Sequence, residues 1–231
     1  VIKDDTFIFP NVIDILKSSF NIIINKSDLL VLSNTLLKLI IVIIISLLLA
    51  SLLSFIYIIF PSSIHFFRPL INILKAAPFA VISIYIFYAF YETKEIAPSI
   101  VTFLVVLPLS FEGLVGAIDN IDKNIIDDLK MLEINTFKKF IYVYIPLSLP
   151  HIATTLLQSF GLGLKVMIMS EFMSQVDGTV GGVLFNIKYN YDYAYLLGWL
   201  VIIITIVSII DMLIRIISKR SIKLSLKKQI S

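Results

Sequence analysis

The chain has no cysteine among its 231 residues, so a disulfide framework, thiolate chemistry and a cysteine-based metal site are all excluded. Charge is scarce as well: Asp, Glu, Lys and Arg make up 15% of the residues, against about 25% in an ordinary soluble domain. The net charge of +3 is too small to point to nucleic acid. No G-x-x-x-x-G-K-[ST] occurs, so the chain cannot hold ATP through a phosphate-binding loop, and no H-E-x-x-H is present. His65 and His151 are isolated, and no nucleophile–base pair stands out, so neither a catalytic centre nor a metal or cofactor is expected. There is no signal peptide with a small-residue cleavage site at the start. No internal repeat or low-complexity linker divides the chain, which reads as one domain over 1–231.

What is abundant is apolar sequence. Hydrophobic residues make up 58% of the chain and the mean hydropathy is +0.98. A membrane-crossing helix needs roughly 20 mostly apolar residues. Five segments meet or approach that length: Leu36–Phe60, Ala76–Tyr91, Pro98–Ala117, a run from about Pro150 to Met173, and Ala194–Ile217. Five such runs leave too little polar surface to coat a soluble protein. The expectation is an all-α, polytopic membrane protein whose outer surface meets lipid.

Lysine and arginine near the helix ends orient the bundle, because cytoplasmic loops carry the excess positive charge. The tail after the fifth segment holds Arg215, Lys219, Arg220, Lys223, Lys227 and Lys228, which predicts a cytoplasmic C-terminus. The stretch 119–140, with Lys123, Lys130, Lys138 and Lys139, and the first connection, with Arg68 and Lys75, fall on the same side. The opposite connections hold only Lys94 and Lys188. Five spans then place residues 1–33 outside, although that segment shows no export signal. The simplest expectation is a further helix of about 20 apolar residues before Val1, giving six spans. Residues 7–24 could instead form a poor span, but Pro10, Asn11, Asp14 and Lys17 argue against it.

The stretch 119–140 is amphipathic. Ile121, Ile125, Ile126, Leu129, Leu132 and Phe137 recur at helical spacing among acids and lysines. Asn135 has the chemistry of an N-cap before a new helical run. Two short surface helices broken near 133–135 are expected, acting either as a lipid-surface element or as the grip for a soluble partner. Their charges are mixed in sign, which suits a protein partner better. Pro146 and Pro150 follow at i and i+4 and are expected to form a stiff elbow where the chain re-enters the membrane.

Here the residues carry a resemblance. IDNIDKNIIDDLKMLEINTFKKFIYVYIPLSLPHI resembles the EAA loop of binding-protein-dependent ABC importer permeases. Asp122, Asp127, Leu132, Asn135, Ile145, Pro146, Pro150 and Ile152 match the pattern. Asp128 and Leu129 stand where the family has alanines, and Glu133 stands where it has glycine. FIFPNVIDIL, FFRPLINILKAAPFAVI and GLGLKVMIMSEFM, the last including Glu171, are similar to segments of the nitrate/sulfonate/taurine-type subfamily. The resemblance implies a type I importer permease bundle of six spans, with two copies lining the path. It implies ATPase subunits docked on Asp122, Asp127, Asp128, Lys130, Leu132, Glu133, Asn135 and Phe137. It also implies an extracytoplasmic binding protein that delivers a small solute, such as a sulfonate, nitrate, taurine or a vitamin precursor.

Ionisable groups inside spans are costly and are functional candidates by default. Glu112, Lys165 and Glu171 are the candidates for lining the path. Lys165 either meets an anionic solute or pairs with Glu171 or Glu112. Asp211 and Arg215, four apart, read as a helix-surface ion pair. Gly161 and Gly163 suggest close helix packing. The tyrosines of YNYDYAY fit an interfacial aromatic belt better than a ligand cage.

Overall fold

The computed structural model describes residues 10–131, 134–190 and 192–229, with the side chains of 123, 130, 188–190 and 217–229 excepted. Among the described residues the regular structure is helical throughout. In chain order the α-helices are α1 Val12–Ile24, α2 Lys26–Ile59, α3 Ile64–Ala76, α4 Phe79–Ala89, α5 Ala97–Asp119, α6 Lys123–Met131, α7 Thr136–Lys139, α8 Ile145–Ser174, α9 Val180–Asn190 and α10 Tyr193–Gln229. Among the described residues, four helical runs are long and apolar enough to cross a membrane: Lys26–Ile59, Ala97–Asp119, Thr136–Ser174 and Tyr193–Ile216. A fifth is formed if Pro61–Ala76 and Phe79–Ala89 count as one broken span.

The expected second span is therefore realised differently from the others. α4 has 11 residues, about 16 Å of helix at 1.5 Å per residue, roughly half a bilayer core. The chain turns by 89° between α3 and α4, at Ala77 and Pro78. Pro78 is the residue before α4, with φ −63° and ψ 116°. It forces Ala77 out of helical backbone, since the proline ring clashes with a helical predecessor. α1 has 13 residues and its side carrying Val12, Ile13, Leu16, Phe20 and Ile23 is exposed. It is too short to cross a membrane, in line with the polar residues that argue against a span there.

The described chain forms two compact units, each assembled from separate stretches of sequence. In the unit comprising Val1–Val42, Pro78–Thr102 and Gly163–Ile209, the core gathers Ile22 of α1, Val180 and Ile187 of α9, and Trp199 and Ile202 of α10. α1 can lie this close to α10 because residue 198 is glycine; a side chain there would meet Ser18, Ser19 and Ile22. In the unit comprising Ile43–Ala77, Phe103–Leu162 and Ile210–Ser231, Ala50 of α2 packs with Ile64 and Ile71 of α3 and with Leu107, Phe111 and Val115 of α5. Ile64 and Ile71 are seven apart, two turns of α3, so α3 presents one apolar stripe to this core. Of Gly161 and Gly163, where close packing is expected, an added Cβ at Gly161 would meet nothing within 4 Å, whereas one at Gly113 would collide with Thr155.

Candidate docking segment and intramembrane charges

α6 and α7 occupy the stretch read as two short surface helices. Asp122 caps α6: its Oδ1 accepts from the Asn124 amide at 2.9 Å, and its carbonyl accepts from Ile126. Asn135 caps α7, its Oδ1 accepting from the Phe137 amide at 3.0 Å. Both caps satisfy helix-end N–H groups that would otherwise lack a partner. Ile121 and Leu129 are buried, whereas Asp122, Asp127, Asp128, Met131, Ile134 and Phe137 are exposed. Leu132, Glu133 and the Lys130 side chain lie outside the described residues. Although exposed, the Phe137 ring meets Phe55 of α2 edge-on at 5.8 Å, and Phe55 also meets Phe140 at 5.2 Å. The segment is therefore both presented outward and anchored to α2.

The elbow expected at Pro146 and Pro150 is not a break in the helix. Thr136–Ser174 is one helical run of 39 residues. It contains a π-helical turn at Phe140–Tyr144, and the Ile145 amide donates back to the Phe140 carbonyl. Pro146 and Pro150 lie within α8 just beyond it. The wider π-turn fits the sequence, because Pro146 has no N–H for a regular helical bond to the preceding turn. A cleft of about 280 Å³ lies behind this turn, lined among others by Leu48, Ser54, Ile118, Tyr144 and Ser148.

Glu171, a candidate for the path, is instead fully buried. Its two carboxylate oxygens accept from Thr35 Oγ1 at 3.1 and 3.0 Å, and Oε2 also accepts from the Gly181 amide at 3.2 Å. Around it the polar groups close on one another. α8 ends in a paired C-terminal turn: the Val176 amide bonds the Glu171 carbonyl, and the Gln175 amide bonds the Phe172 carbonyl. Gln175 takes the left-handed conformation at φ 51° that such a turn requires. α9 begins at Val180, five residues after Gln175, and its first three amides are all satisfied by side chains. Val180 donates to Thr35, Gly181 to Glu171 and Gly182 to Thr179. A carboxylate at a helix N-terminus is favoured by the aligned peptide dipoles as well. Only glycine fits at 181, because a Cβ there would overlap the Glu171 Cβ and the α8 backbone. Asn34 and Lys94 further tie down the linking turn through the carbonyls of Gly178 and Gln175.

Glu112 pairs with Lys75 at 2.7 Å, and both side chains are half-exposed. Lys165 is exposed and makes no hydrogen bond or ion pair among the described residues. Neither proposed partner for Lys165 is realised, because both carboxylates are engaged elsewhere. Asp211 and Arg215 form the expected i,i+4 pair at 2.8 Å. Sequence reasoning missed Lys75, Arg68, Thr35 and Gly181 as partners. The seven-residue spacing of Arg68 and Lys75 could have signalled a shared helix face; Thr35 carries no such signal.

Residues 59–223 match the family described as the binding-protein-dependent transport system inner membrane component. The chain belongs to this family. The match covers α3 to α9 in full and most of α10, and makes the protein a multi-pass membrane permease component of a binding-protein-dependent transporter. A search of the curated proteins finds no significant match.

Proposed function

We propose that this permease component forms the solute path of an ATP-driven importer of the nitrate/sulfonate/taurine type. Two copies would line the path, an extracytoplasmic protein would deliver the solute, and cytoplasmic ATPase subunits would grip α6 and α7. The observation that carries this reading is the docking segment. Two capped helices present Asp127, Asp128, Met131 and Phe137 outward, and Phe137 is braced against Phe55. Exposed apolar side chains set among charged ones suit a protein partner, which buries the apolar side chains within a polar rim. Closure of the ATPases would move α7, and the π-turn would pass that movement into α8, with the cleft behind it giving room. The lysine-rich connections and tail support a cytoplasmic placement of this segment and of the C-terminus.

The solute is read as small and anionic. Lys165 is an exposed ammonium within a membrane-crossing helix, nine residues before its C-terminal end, a position kept only where the charge is solvated or used. Single cysteines at Asp127 and Asp128 should crosslink to an ATPase that copurifies with the chain. Labelling of both sites only from outside intact cells would reverse the topology and end the reading. Lys165→Met should abolish most nitrate, taurine or alkylsulfonate uptake by cells while leaving assembly with the ATPase intact.

A further inference from the structure

The ion pairs of α3 and α5 are set in matched register. Arg68 reaches Asp119 at 3.4 Å and Lys75 reaches Glu112 at 2.7 Å. Seven residues forward on α3 correspond to seven residues back on α5, so the helices run antiparallel and each pair sits two turns from the other. Beneath the pairs, Ile64 and Ile71 share one buried apolar cluster with Phe111 and Val115, and Phe67 is edge-on to Phe111 at 6.0 Å. Asp119 is shared: its other oxygen accepts from the Tyr57 hydroxyl of α2 at 2.7 Å. It is also the last residue of α5, three before the Asp122 cap of the docking helix. The root of the docking segment is thus held by a cation on α3 and a hydroxyl on α2.

We propose that Arg68–Asp119 and Lys75–Glu112 form a charge clasp that carries movement of the docking helices into α3, making these four side chains positioning residues for transport. Without it, a pull on α6 would be absorbed in the short turn between Asp119 and Asp122. With it, α5 and α3 shift as one piece, because sliding either helix against the other breaks both pairs at once. Half-exposed ion pairs contribute little to stability in water, which makes fixing register a more fitting role for them than holding the fold. The proposal rests on the importer reading above, and its test separates the two.

The test uses the chain in complex with its copurifying ATPase in lipid nanodiscs. A spin label is placed at Ile73→Cys, an exposed site on α3. Its spectrum is compared without nucleotide and with ATP plus vanadate. A nucleotide-dependent change is expected in the parent complex. Arg68→Glu and Asp119→Arg should each lose it while keeping the ATPase bound and the melting temperature near that of the parent. The swapped double variant, Arg68→Glu with Asp119→Arg, should regain it. A full response in Arg68→Glu alone overturns the clasp and leaves the importer reading standing, as does a double variant that stays silent. If no ATPase associates with the unaltered chain, the importer reading falls, and the clasp with it.

Discussion

Glu171 and Glu112 are both carboxylates in apolar helices, and the two units of the molecule treat them in opposite ways. Glu171 is fully buried and, among the described residues, forms no ion pair; its oxygens accept from the Thr35 hydroxyl and the Gly181 amide. Glu112 is half-exposed and paired directly to Lys75. A buried polar group is tolerable when each of its partners is preset, and removing one leaves the others stranded. A half-exposed pair can fall back on water. Glu171 therefore acts as a fastener between α2, α8 and α9, and Glu112 as one rung of a register lock.

The largest effect should come from removing the fastener. Glu171→Ala strands the Thr35 hydroxyl and the Gly181 amide and opens a cavity, and should cost about 3 kcal/mol or more. Thermal unfolding in detergent reads this directly; a melting curve like the parent's would erase the contrast with Glu112. Gly181→Ala attacks the same junction from the other side. Its new methyl overlaps Glu171 and the α8 backbone, and a loss of about 2 kcal/mol in the same assay is expected for an overpacked site. Asn135→Ala removes the α7 cap and should cost about 1 kcal/mol. That loss should appear as faster hydrogen exchange at the α7 amides, with the rest of the chain unchanged. The smallest change belongs to the surface pair. Lys75→Ala should shift stability by less than about 1 kcal/mol. A loss as large as that of Glu171→Ala would mean that Glu112 is as dependent on its partner as Glu171 is.

The two proline sites show where sequence reading succeeds and where it stops. Pro146 and Pro150 look like an elbow, yet they sit within a continuous helix, because a π-turn ahead of them accommodates the missing donor. The sharp turn is at Pro78, inside a segment that reads as an ordinary apolar span. A proline restricts its neighbours' backbone, but whether the chain bends there depends on what the following helix can pack against. Asn135 was legible because a cap bonds an amide two residues away, and the Asp211–Arg215 pair because its partners are one helical turn apart.

The sequence by itself determined what repeats over short distances: the long apolar helices, the amphipathic stretch 119–140, its caps, and the positive charges at the helix ends. These follow from helical period and local hydrogen bonding, which need no knowledge of the rest of the chain. Only the tertiary structure decided which charges meet. Thr35 lies 136 positions from Glu171, and Lys75 lies 37 from Glu112. Lys165, near Glu171 in sequence, is left facing outward without it. Each choice depends on which helix faces pack together, a property of summed apolar contacts over the whole bundle rather than of the residues on either side.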